Sequence, residues 1–122
     1  SDAVIDALDR RFEAGTRAIA AEMKLALGFT RVFRYPAQPF DPACVALVRE
    51  AAARLGHPAR EIVSGAGHDA CAVARIIPTA MIFVPCKDGL SHNEAESILP
   101  EHAGAGAQVL FEAVLARANR AL

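Results

Sequence analysis

Apolar and polar residues follow a helical period in three stretches of the chain. From about residue 2 to residue 25, apolar side chains recur every three or four positions with charged residues between them, as on one face of a helix. Residues 42–55 and the residues from about 100 onward repeat the pattern. The side chains expected to face the core are Ile5, Leu8, Phe12, Ile19 and Met23 in the first helix, Cys44, Val45, Val48, Ala52 and Leu55 in the second, and Ala103, Ala107, Leu110, Val114 and Ala118 in the last.

Local signals indicate where these helices begin and end. Asp41 followed by Pro42 is a helix start, since the carboxylate accepts from free N–H groups and proline suits the first helical position. Gly28 and Gly56 are the expected stops of the first and second helices. A further short helix is expected at about residues 68–74, after a glycine turn.

Three shorter apolar runs predict strands. Residues 79–84 are almost entirely apolar and lie between prolines, which is typical of a buried strand. Residues 61–64 predict a short strand. Residues 29–35 predict an edge or half-covered strand, because Arg31 interrupts their alternation.

Prolines mark a boundary between two parts of the chain. Pro36, Pro39 and Pro42 each remove a backbone donor and restrict the preceding residue. Residues 1–36 hold one helix and one strand, too little for a stable domain, so we interpret them as the end of a domain whose beginning is absent. Residues 37–122 alternate as α-β-α-β-α, which predicts an α/β fold with layered helices and parallel strands.

The amino-acid composition argues against several classes of function. The 122 residues are 53% apolar with a net charge of −1, which fits a packed domain and favours neither a polyanion nor a membrane surface as partner. Lys and Arg are scattered, so nucleic-acid binding has no support, and no run reaches transmembrane length. Ser1 onward does not have the pattern of a signal peptide. Cys44, Cys71 and Cys86 have no regular spacing, which predicts free thiols in the reducing cytoplasm.

The segment Ser64-Gly65-Ala66-Gly67-His68-Asp69 is the first candidate site. A strand that turns through glycines into a helix offers backbone N–H groups to an anionic ligand, and His68 would donate to an oxyanion in the same crevice. The alternative is an ordinary strand-to-helix turn with Asp69 as a first-turn cap and His68 exposed. The turn lacks the third glycine of a dinucleotide-binding fingerprint.

The segment Ser91-His92-Asn93-Glu94-Ala95-Glu96 is the second. His92 is a candidate metal ligand, and Glu96 would share its face if the segment were helical. The alternative is a solvated loop. Zinc needs three or four protein ligands, and only Cys86 and Asp88 are nearby candidates. A Ser/His/Asp triad and a Cys86/His92 pair have no supporting motif, and His57 and His102 are expected at the surface.

Together, SGAGHDA (64–70) and PTAMIFVPCKDGLSHNEAE (78–96) resemble the hydantoinase/carbamoylase family of amidases. This family includes N-carbamoyl-L-amino acid hydrolases, zinc-type β-ureidopropionases, allantoate amidohydrolases and ureidoglycolate amidohydrolases, within a larger clan of zinc aminoacylases and aminopeptidases. The resemblance covers essentially the whole chain. It implies that residues 1–36 are the last helix and strand of an α+β lid domain. It implies that residues 37–122 are the carboxyl-terminal part of a layered α/β/α catalytic domain like that of zinc aminopeptidases.

The resemblance also implies roles for individual residues. His92 matches the family's last metal-ligand histidine, and His68 matches a catalytic histidine that holds the substrate and polarises its oxyanion. Leu90 stands where isoleucine is common. The substrate-binding residues implied are Ser64, Gly65, Ala66, Gly67 and His68, and the residues implied to support the ligands from behind are Asp69, Asn93 and Glu96.

The main departure from the family is that several of its functional residues are missing from this chain. The other metal ligands, the glutamate general base and the lid arginine have no match here. What the resemblance implies is therefore a segment of a zinc- or manganese-dependent hydrolase of small ureido or N-carbamoyl substrates, inactive in isolation and holding no tight metal itself. We expect the chain to self-associate, as a homodimer or otherwise. Two alternatives remain open: a stand-alone dimerisation or binding module that uses residues 2–35, and an unrelated metal- or anion-binding domain that uses only the glycine turn.

Overall fold

The computed structural model describes residues 1–120, which divide into two compact units, residues 1–38 and residues 39 onward. The division falls inside the proline-rich stretch. In the described part of the chain the α-helices are α1 (Asp2–Glu22), α2 (Pro42–Arg54), α3 (Asp69–Val73) and α4 (Pro100–Arg120), with a 3-10 turn at Lys87–Gly89.

Helix α1 ends earlier than the glycine signal predicted. Lys24 adopts the left-handed conformation, with φ of 56°, and the N–H of Leu25 donates to the carbonyl of Ala20 at 2.8 Å. This pattern closes the last helical turn. The expected stop at Gly28 is therefore wrong, because a lysine takes the role that the sequence suggested for glycine.

In the first unit, polar contacts fix residues 31–37 along α1. Acidic side chains spaced four and three residues apart share one helix face, and each meets a partner from this segment. The pairs are Arg31 with Asp9 (3.0 Å), Arg34 with Asp6, and the Ala37 N–H with Asp2 (2.8 Å). The hydrogen bond from Arg34 lowers the pKa of Asp6 below its ordinary 3.8. Successive residues of the segment pair with successively earlier residues of α1, so the segment runs antiparallel to the helix.

In the second unit, α2 packs against α4 and forms the core. Asp41 caps α2 as predicted: its carboxylate accepts from the Cys44 N–H at 2.8 Å. Gly56, with φ of 73°, ends the helix as expected. The buried side chains of this core are Leu47, Ala51, Ala52, Val109 and Ala113.

The predicted core face of α4 is wrong. Leu110 and Val114 are 55% and 58% exposed, whereas Val109 and Ala113 are buried against α2. The reason is that α4 is apolar on more than one side, so periodicity alone does not select the packed face. The predicted face, Ala103, Ala107, Leu110, Val114 and Ala118, lines an open apolar groove of about 730 Å³.

Within residues 1–120, none of the three predicted strands is paired in a sheet; the one bridge is an isolated antiparallel pair, Cys86 with Ile98. Strands need a neighbour to satisfy their backbone groups, and this chain places none beside residues 29–35, 61–64 or 79–84. Residues 80–84 nevertheless keep the alternation of a strand, since Ala80, Ile82 and Val84 all line the groove.

Candidate active site

The glycine turn places Ser64 beside His68. The Ser64 Oγ lies 3.0 Å from the His68 Nε2 and accepts a hydrogen bond from the Ala66 N–H at 3.2 Å. The first of these contacts fixes the orientation of the ring. The second occupies an N–H group that the sequence suggested would be free for an anion.

The two glycines of this turn leave open space. Gly65 and Gly67 do not adopt positive φ, and a Cβ added at either would meet no atom within 4 Å. The backbone conformation therefore does not require glycine at these positions. Without side chains, these two residues leave their backbone open on that side.

His68 is half-buried at the start of α3. Its backbone is extended, with φ of −137°, and its side chain does not cap the helix. Its ring meets the Phe83 ring edge-on, with centroids 5.4 Å apart. Ser64 and Phe83 thus hold the imidazole from two sides, while Asp69 is exposed in the first turn of α3.

His92 is exposed in the loop 86–98. The loop is closed at its base by the bridge between Cys86 and Ile98 and by the Lys87 N–H, which donates to the Ser97 carbonyl at 2.8 Å. His92 itself is left-handed, with φ of 55°. Its imidazole makes no hydrogen bond to any residue between 1 and 120.

Glu96 contacts the backbone of His92 rather than its ring. The His92 N–H donates to the Glu96 Oε2 at 2.8 Å, and the Cys86 Sγ lies 3.7 Å from the Glu96 Oε1. Burial, and secondarily the Glu96 charge, raise the pKa of the Cys86 thiol. Residues 92–95 form bends and turns rather than a helix, so Glu96 does not share a helical face with His92.

Asn93 stabilises the same loop. Its side-chain oxygen accepts from the Ala95 N–H at 2.9 Å, and its carbonyl accepts from the Glu96 N–H at 2.9 Å. Asparagine side chains commonly bind the backbone two residues on. Asn93 therefore shapes the turn that carries Glu96 back to His92.

Both candidate segments meet the same extended stretch. Phe83 contacts His68, and Cys86 contacts Glu96. Three extended residues span about 10 Å, so the glycine turn and the base of the His92 loop are anchored close together on residues 83–86.

The described side chains of this chain can supply one ligand to a metal ion. Among residues 1–120 no group of three or more His, Cys, Asp or Glu side chains is arranged to hold a metal. The Cys86 thiol, considered as a ligand, is engaged with Glu96. His92 offers an exposed imidazole on a closed loop, so the remaining ligands of any metal would have to come from elsewhere.

Two other histidines are more buried than the sequence predicted. His57 and His102 are half-buried, and the Nε2 of His57 and the Nδ1 of His102 are buried without a hydrogen-bond partner among the described residues. The expectation of surface histidines is wrong, because both side chains lie at ends of the packed helices α2 and α4. Sequence pattern holds no signal for this.

Residues 13–116 match the model of peptidase family M20/M25/M40. The chain belongs to that family. It is 47% identical over 117 residues to an N-carbamoyl-L-amino-acid amidohydrolase of Rhizobium meliloti, covering 96% of this chain and 28% of that protein. It is 36% identical over 94 residues to allantoate amidohydrolase of Escherichia coli, covering 77% of this chain and 23% of that protein.

The structure of this chain also matches a solved structure of a related protein. The crystal structure of an amidase of the hydantoinase/carbamoylase family from Burkholderia multivorans superposes on this M20-family chain with a TM-score of 0.90 at 52% identity. The match covers 96% of this chain and 28% of that one. The resemblance to the hydantoinase/carbamoylase family is confirmed, and the chain spans little more than a quarter of such relatives. Within residues 1–120, none of the helices combines the length and hydropathy needed to cross a bilayer.

Proposed function

We propose that this chain is a segment of a metal-dependent amidohydrolase that hydrolyses carbon–nitrogen bonds of N-carbamoyl amino acids or related ureido compounds. The observation that carries the proposal is the 47% identity, over 96% of the chain, to an N-carbamoyl-L-amino-acid amidohydrolase. The chain covers 28% of that relative, so the proposal assigns the rest of the active site to residues that this chain does not contain.

His92 is the metal ligand in this proposal. It has an exposed imidazole free of hydrogen bonds within the described residues, on a loop closed at its base. A divalent metal, zinc or manganese, would supply Lewis-acid polarisation of the scissile carbonyl and an acidified water. One imidazole binds such an ion weakly, so we expect no tight metal binding and no turnover by this chain alone.

His68 is the catalytic group that contacts the substrate. Ser64 and Phe83 orient its ring. An N–H of that ring would donate to the oxyanion as the carbon becomes tetrahedral. The glycines beside it leave room for the ureido group, and Asp69 borders the same turn. The proposal requires both imidazoles to face one cleft.

A pair of variants in the full-length polypeptide tests these roles. His92→Ala should remove both bound metal and turnover. His68→Ala should keep the metal but lower kcat by about 10²- to 10³-fold, the usual effect of losing one oxyanion donor. Metal content and kcat on an N-carbamoyl amino acid are the measurements. Wild-type metal content and turnover in His92→Ala would overturn the proposal.

A second candidate function is a dimerisation or binding module that uses the first unit. The observation in its favour is exposure: Val32 is 92% exposed and Phe33 is 69% exposed, on a segment with no strand partner among the described residues. Such a surface favours association with a second copy or another protein. Under either function we place the protein in the cytoplasm, since Cys44, Cys71 and Cys86 are free thiols.

A further inference from the structure

We propose that Glu96 positions His92 through the backbone, and that the Cys86 thiol holds Glu96 in place for this task. The inference rests on the proposed role of His92 as a metal ligand. In this inference the Glu96 carboxylate holds the backbone of His92 and does not bind the imidazole ring. Cys86 is an additional positioning residue.

The first observation is the conformation of His92. Its φ of 55° lies in the left-handed region, which costs a non-glycine residue free energy. Such a conformation persists only where surrounding contacts enforce it. The hydrogen bond from the His92 N–H to the Glu96 Oε2, at 2.8 Å, is the contact that acts directly on this peptide unit.

The second observation is that both oxygens of the Glu96 carboxylate are used. Oε2 binds the exposed part of the loop at His92, and Oε1 lies 3.7 Å from the Cys86 Sγ at the loop base. Cys86 is itself fixed, since it forms the bridge to Ile98. Glu96 therefore connects His92 to the closed base of the loop.

The third observation is that this arrangement leaves both nitrogens of the His92 ring free of Glu96. Because Glu96 is occupied by a backbone N–H and a thiol, neither nitrogen of the His92 ring is taken up by it. One ring nitrogen can bind the metal, and the other can contact a group elsewhere in the full-length polypeptide. The backbone conformation of His92 sets the direction of its Cα–Cβ bond, and so the side of the loop from which the imidazole extends.

The experiment measures metal affinity of the full-length polypeptide by chelator competition, alongside kcat. Glu96→Ala should weaken metal binding by about tenfold or more, as is usual for groups that orient a ligand. Glu96→Gln should stay close to the wild type, because its amide oxygen still accepts from the His92 N–H. Glu94→Ala is the matched control: it removes a carboxylate two residues away that makes no hydrogen bond or ion pair within residues 1–120, and should leave affinity unchanged.

The Cys86 variants test the second half of the inference and remain informative if Glu96→Ala does not fold. Cys86→Ser keeps a donor for Glu96 and should bind metal more tightly than Cys86→Ala. Wild-type affinity in Glu96→Ala, equal losses in Glu96→Gln and Glu96→Ala, or equal affinities in the two Cys86 variants would overturn the inference. Unchanged metal content in His92→Ala would instead overturn the proposed function, so the two failures are distinguishable.

Discussion

At the scale of single residues, Gly106 shows where side-chain size is restricted. It lies in α4 where the helix passes residues 80–84, and a Cβ added there would lie 2.6 Å from the Val84 Cγ1. Valine is stiff at χ1, so it cannot easily move aside. Gly104, two positions earlier in the same helix, has no atom within 4 Å of an added Cβ.

These two glycines give a matched prediction. Gly104→Ala should raise the free energy of unfolding by up to about 1 kcal/mol, since alanine is the better helix former. Gly106→Ala gains the same propensity but adds an overlap of the kind that costs about 1–3 kcal/mol, so it should be less stable than Gly104→Ala. Urea unfolding measures the difference. Equal stabilisation by both substitutions would show that α4 does not approach Val84 so closely.

At the scale of elements, the start of α2 depends on a charged cap. The Cys44 N–H donates to Asp41, which lowers the pKa of that carboxyl below its ordinary 3.8. A carboxyl with a depressed pKa in the folded state stabilises the fold above its unfolded pKa, and this contribution is lost as pH falls through the folded value. The cap of α2 therefore weakens in acid, below about pH 4.

Variants at Asp41 separate the cap from its titration. Asp41→Ala should lower the urea midpoint at pH 7, because a helix N–H loses its acceptor. Asp41→Asn keeps an acceptor but does not titrate, so its midpoint should fall less than that of the wild type between pH 7 and pH 3. Identical acid dependence in the wild type and Asp41→Asn would contradict a role for this carboxylate in the pH response.

At the scale of the whole molecule, much apolar surface is uncovered. In the second unit the apolar groove of about 730 Å³ is lined mainly by α4 and by alternate residues of 80–84, with Cys44, Leu47 and Val48 of α2. In the first unit, apolar side chains of α1 such as Phe12 and Ile19 are exposed. Contiguous exposed apolar surface of this kind drives association, so we expect the isolated chain to self-associate.

Substitutions on α4 test whether the groove contributes to this association. Leu110→Lys places a charge in the groove and should weaken self-association. Leu115→Lys is the control, since Leu115 is an exposed leucine of the same helix that does not line the groove. Sedimentation velocity over a range of concentrations measures both. A wild-type chain that stays monomeric at high concentration would contradict the expectation.

What could be predicted from the sequence was mostly local. Asp41 and Gly56 identified the ends of α2, because capping depends on residues within one or two turns. The two motifs identified the family, since paired segments at fixed separation are specific. His92 and His68 could be selected as candidates on the same basis, but the contacts that orient them could not.

The sequence by itself determined the helices, the two ends of α2 and the family, because these depend on neighbours along the chain. Only the tertiary structure decided that Val109 and Ala113, rather than Leu110 and Val114, are buried, since both faces of α4 are apolar and packing against α2 selects one. It also decided that residues 79–84 have no ladder partner among the described residues. The tertiary structure also decided that Glu96 contacts the His92 backbone, because the geometry of the turns, rather than the spacing of the two residues in the sequence, brings these groups together.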